Sequence, residues 1–122
     1  MEGSKKVYDL EERTFEFARD IRLFVRKLEV NTWNKEDIKQ VVRSSGSVAA
    51  NYIEANEKLG EKDLLMKLRN CKKEAKESIL WLRLVDVKLD TLEIERTNLI
   101  NEAIELKNIM SAIYRNKISN KV

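Results

Sequence analysis

The chain has no histidine and no proline, three glycines and one cysteine. Each shortage excludes something. Without histidine, Ser-His and Cys-His nucleophilic systems cannot be built. Ferritin-like di-iron bundles, which rely on Glu-x-x-His pairs, are excluded as well, and so are zinc sites of the usual Cys/His type within one chain. No phosphate-cradling glycine loop is present. Cys71 is alone and cannot close an internal disulfide, which fits a reducing compartment. Its simplest role is that of a small apolar core residue. The longest unbroken apolar run, Ile79 to Leu82, is much too short to span a bilayer. The segment from Met1 to Asp9 carries no apolar stretch of the signal-peptide kind. The expectation is a cytoplasmic, non-enzymatic protein without cofactor or metal.

What is present is the material of helices. Few helix breakers and abundant Leu, Lys, Glu and Arg point to an all-α protein. At 122 residues the chain suits one domain with a real core. Apolar spacings of three and four predict four amphipathic helices, over about 10–29, 35–59, 61–89 and 92–117. Asp9 is placed to cap the first, with Glu12 at the capping-box position. The first stripe runs Phe15, Ala18, Ile21, Val25 and Leu28. The second runs Ile38, Val41, Ser45, Val48, Tyr52, Ala55 and Leu59, with Asn34 as N-cap and Gly60 as C-terminal stop. The third runs Leu64, Leu68, Cys71, Ala75, Ile79, Leu82, Val85 and Leu89. The fourth, opened by Asp90 or Thr91, runs Leu92, Leu99, Ala103, Leu106, Met110 and Ile113. Short connections favour antiparallel neighbours, so an up-down-up-down antiparallel four-helix bundle is predicted.

Two stretches depart from simple amphipathicity. Ser44 to Ala50 is a run of small residues, which reads as an inner face where backbones approach closely. Gly46 within it costs about 1 kcal/mol relative to alanine, and close packing is the expected compensation. Nearby, Asn51 is expected to bond across helices, and Glu54 to pair with an arginine such as Arg43 or one from another helix. The second departure is Ile79 to Leu89, apolar on nearly every side if helical throughout. Such a helix needs covering on more than one face. Leu80, Trp81 and Leu84 are therefore expected to meet another subunit.

Charge is the remaining signal. The net charge of +3 is mild, but it is unevenly spread. Lys62, Arg69, Lys73, Lys76 and Arg83 recur along one stripe of the third helix. The stretch from Lys107 to Val122 carries Lys107, Arg115, Lys117 and Lys121 and no acid. Such clusters suit phosphate contact. They equally suit a solvated face with a dipole-matched C-terminus. The candidate nucleic-acid contacts are Lys62, Arg69, Lys73, Lys76, Arg83, Arg115 and Lys117. No base-reading motif accompanies them, so binding to RNA or DNA should be weakly sequence-specific. Carboxylate pairs such as Glu54 with Glu57, or Glu74 with Glu77, share helix faces and are expected to form surface ion pairs.

Three segments carry a family resemblance. Gln40 to Ala55 (QVVRSSGSVAANYIEA), Lys73 to Leu84 (KEAKESILWLRL) and Asp9 to Ala18 (DLEERTFEFA) appear in order across most of the chain. Together they resemble the four-helix bundle proteins encoded in intervening sequences of bacterial 23S ribosomal RNA genes. Ala55-Asn56 departs from that pattern, where many relatives have glycine. The resemblance implies an up-down protomer that assembles into a ring-like homopentamer. A related branch, the accessory variability proteins of diversity-generating retroelements, implies a basic barrel that binds a reverse transcriptase and nucleic acid. Two functions are thus expected: a scaffold that binds nucleic acid, or a module that docks a protein such as a reverse transcriptase.

Overall fold

A computed structural model describes residues 9–57 and 60–120. Four helices account for nearly all of them: α1 Leu10–Val25, α2 Lys35–Ala55, α3 Glu61–Leu84 and α4 Asp90–Ser119. The expected contributions of Leu59 and Lys121 lie outside the described residues. Each helix packs on its chain neighbours, and α1 also meets α4, so the four close into a bundle. Every pairing is antiparallel. Arg13 meets Glu102 while Lys27 meets Glu95. Arg43 meets Glu77 while Lys67 meets Glu54. Asn56 meets Glu11 while Arg22 meets Val42. Among the described residues, no helix is long and apolar enough to cross a membrane.

α1 begins as its sequence predicts, with Asp9 Oδ1 accepting from the Glu12 amide at 3.0 Å. Ala18, Ile21, Val25 and Leu28 of the expected stripe are buried, but Phe15 is not. Phe15 is half exposed, with the Arg19 guanidinium 5.8 Å from its ring centre. Phe17 and Phe24, two turns apart, are buried in its place. A buried face centred on Phe17, Ile21 and Phe24 sinks two rings where one that included Phe15 in place of Phe17 and Phe24 would sink one, so apolar burial favours it. Its one polar intruder, buried Thr14, returns its hydroxyl to the Leu10 carbonyl at 2.9 Å. The helix stops four residues short of the expected Glu29. Tighter turns continue the chain, with the Lys27 and Leu28 amides bonding Phe24 and Val25, and these keep Leu28 in the core.

Asn34 sits at the N-cap position of α2 but makes no capping bond. Its side chain is 1% exposed and is spent elsewhere. Nδ2 donates to the carbonyls of Glu29 and Asp86, and Oδ1 accepts from the Asp86 amide at 2.7 Å. Asn34 thus clamps the α1–α2 loop to the α3–α4 loop. At the far end α2 closes at Ala55, where the Asn56 amide bonds the Tyr52 carbonyl. Gly60 is not its stop: the Gly60 carbonyl accepts from Leu64 and opens α3.

α3 ends at Leu84, not Leu89. Val85 turns extended and sinks its side chain to 2% exposure. Arg96 of α4 donates to the Val85 and Leu82 carbonyls left open by that stop. Part of the apolar excess after Ile79 is therefore absorbed by the protomer itself.

The small-residue face of α2 does press against α3. The Ser44 and Ser78 hydroxyls lie 2.8 Å apart in the interior, and the Cys71 thiol points at the Val48 carbonyl. Gly46 faces α1 instead. A Cβ there would come within 3.0 Å of Arg22 Nη2, which donates to the Val42 carbonyl at 3.2 Å. The glycine makes room for a guanidinium. Asn51 does not cross helices as expected; it bonds the Ser47 carbonyl of its own helix. Glu54 pairs with Lys67, whereas Arg43 takes Glu74 and Glu77.

Most of the core lies among all four helices, from Phe17 to Leu106. A smaller cluster of Ala55, Leu68, Cys71 and Met110, edged by Tyr52, Leu64, Ile113 and Tyr114, involves α2, α3 and α4 only. It floors the site described next.

Candidate nucleic-acid interface

α3 and α4 run side by side, and their outward faces bound a groove of about 860 Å³. Arg69, Lys72, Lys73 and Lys76 line it from α3 and Arg115 from α4. These residues meet because α3 places Arg69, Lys73 and Lys76 on one face, with Lys72 one turn before Lys76. On α4, Lys107, Ser111 and Arg115 recur every four residues towards α3. A second hollow of about 390 Å³ shares Lys72, Lys76 and Arg115 with the groove and adds Lys107. A third, of about 420 Å³, shares Arg69 and Tyr114 and adds Lys62. The three join into one track.

Several cations elsewhere on the bundle are held in ion pairs, while Arg22, Arg26, Lys35, Lys39, Arg83 and Lys117 have none with another described residue, so what sets the track apart is that its unpaired cations are gathered in one place. Arg13 is held by Glu102 and Glu105, and this pairing pushes its guanidinium pKa up. Lys27, Arg43, Lys67 and Arg96 are also paired. None of the seven cations lining the track has an ion pair with another described residue. The acid lining the groove, Glu77, already binds Arg43 at 2.8 Å. Cations gathered this way repel one another and set up a positive potential that an anion would relieve.

Of the seven expected contacts, the structure gathers Lys62, Arg69, Lys73, Lys76 and Arg115. Arg83 and Lys117 are exposed but do not line the track. Lys107, part of the acid-free C-terminal cluster but not among the seven expected contacts, joins the track, and so does Lys72. Lys72 lies off the stripe of Lys62, Arg69, Lys73, Lys76 and Arg83, and the signal for Lys107 is its eight-residue spacing from Arg115, two steps of four on one helix face. Among the expected interface residues, Leu80 and Leu84 are half exposed. Leu80 lines the groove itself, so the apolar strip and the cationic track share an edge. Trp81 packs partly against its own core, and its indole N–H is buried with no partner among the described residues.

The buried Cys71 thiol is pushed up to about 12 by desolvation, so it stays protonated and unreactive. Burial likewise raises the Tyr52 phenol. Among the described residues, no group of acids and cysteine is close enough to hold a metal ion.

No protein-family model matches the chain, and no curated protein does either. A solved structure does. The chain is similar to a Bacteroides thetaiotaomicron protein of unknown function from the S23 ribosomal protein family. The two superpose with a TM-score of 0.68 and 26% sequence identity, covering 85% of this chain and 96% of the other. The likeness supports the four-helix fold and, loosely, the intervening-sequence resemblance; it has no bearing on the retroelement branch.

Proposed function

We propose that the protein is a non-enzymatic scaffold that binds nucleic acid through the α3–α4 track. One observation carries this reading: seven cations line the track without an ion-pair partner among the described residues, and the acid lining its main groove is engaged by Arg43. The mechanism is electrostatic. Lysines and arginines replace counterions along a phosphate chain, and the release of those ions drives binding. A mobility-shift titration of the full chain with structured RNA at low salt tests it. The wild-type chain should retain the RNA, and Lys72→Glu/Lys76→Glu/Arg115→Glu should release it. Equal retention by both, or retention by neither, would defeat the proposal.

Self-association belongs to the same reading. Leu80 and Leu84, one turn apart and half exposed, offer an apolar strip beside the track. Sister chains packed along it would set several tracks side by side. The resemblance supports five copies in a ring. Light scattering should then give five times the 14.3 kDa chain, and Leu84→Glu should reduce it. A monodisperse single chain at micromolar concentration would remove the ring.

A further inference from the structure

The track is not purely ionic. Exposed or half-buried apolar side chains sit between its cations: Met66, half exposed, beside Lys62 and Arg69, and Tyr114 next to Arg69 and Arg115. Beneath them, buried Leu68 and Met110 close the floor. A ligand made of phosphates alone would leave that surface facing water.

Resting on the nucleic-acid reading above, we infer that the track takes single-stranded rather than duplex nucleic acid, with an unpaired base on Tyr114. Three points argue for it. A single strand offers phosphates to the cations and base faces to the apolar residues together; a duplex hides its base faces in its own stack. Packed helices stand roughly 8–10 Å apart, so the hollow between α3 and α4 is too narrow to seat a double helix. The track follows α3 from Lys62 to Leu80, about 27 Å at the helical rise. Even at the duplex rise of about 3.4 Å per nucleotide, that is room for at most about eight nucleotides, and for fewer in an extended strand. Cationic grooves with an aromatic platform are a general solution for unpaired strands, because every base has a face to stack.

Fluorescence anisotropy on the full chain tests this with labelled single strands of about 15 nucleotides, one RNA and one DNA, and with each strand annealed to its complement. Each single strand should bind more tightly than its duplex. Tyr114→Phe should keep that affinity, since it keeps the ring. Tyr114→Leu keeps apolar bulk but removes the stacking face, and should weaken single-strand binding by about 5- to 150-fold while leaving the helical circular dichroism unchanged. Duplexes bound as tightly as single strands, or full affinity in folded Tyr114→Leu, overturns the inference and leaves the ionic reading standing. No binding of any of the four probes at low salt overturns both.

Discussion

Asn34 offers the sharpest test of how the two loops at one end of the bundle are held. By sequence it is an N-cap; in the structure it is a clamp. Three hydrogen bonds, at 3.1, 3.0 and 2.7 Å, tie its amide to Glu29 and to both backbone groups of Asp86. Each such bond contributes about 1 kcal/mol net, so Asn34→Ala should cost about 3 kcal/mol. With a urea slope of about 1–3 kcal/mol per molar, the unfolding midpoint should fall by roughly 1–3 M at unchanged slope. Asn34→Asp is the discriminating variant. It has the same shape, but an anionic oxygen replaces the amide nitrogen and faces two carbonyls. The clamp predicts a loss at least as large as that of alanine. A capping role predicts the opposite, because aspartate is an equally good cap and suits the positive end of the helix. Urea melts that place Asn34→Asp level with or above the parent would refute the clamp.

Other consequences are checked in the same way. Gly46→Ala gains about 1 kcal/mol of helix propensity but presses its Cβ on Arg22. In the parent the two effects should nearly cancel; in an Arg22→Ala background the same substitution should stabilise by about 1 kcal/mol, and a double-mutant cycle without coupling would contradict this. Native Cys71 should resist thiol reagents at pH 8 and react fully in urea; reaction at the rate of a free thiol would show that it is not buried. Because its folded pKa is raised to about 12, the thiol favours folding fully below its unfolded value of 9.0, and that contribution is lost as pH rises towards 12. Melting curves of the parent should therefore fall more steeply above pH 9 than those of Cys71→Ala, and parallel curves would contradict the assignment.

Much of the fold was legible because long stripes of Leu, Val and Ala at helical spacing admit few alternatives. The α4 stripe from Leu92 to Met110 is buried throughout. Helix ends were less legible, since long-range partners decide them. α3 stops at Leu84 because Arg96, from the next helix, takes the open carbonyls. In α1 the stripe from Ala18 to Leu28 is legible, but whether Phe15 or Phe17 turns inward is decided only by the assembled core. Gly46 marks close packing from the sequence alone, but that its neighbour is the Arg22 guanidinium on α1 is revealed by no local pattern. For the site, a single-helix stripe found the α3 cations. It could not show that Lys107 and Arg115 come alongside from α4, or that Leu80 belongs to the same groove. Those facts depend on the pairing of two helices.

The salt dependence of nucleic-acid binding tests the central claim most directly. If about five phosphates are neutralised on a single strand, the logarithmic slope should be about −3.5. Raising salt from about 50 to 200 mM should then weaken binding by roughly 100-fold. Lys72→Glu/Lys76→Glu should flatten that slope by more than one unit, since each removed contact lowers it by about 0.7. A slope near zero, or one that the double variant leaves unchanged, would contradict the assignment of the α3–α4 track as the binding surface.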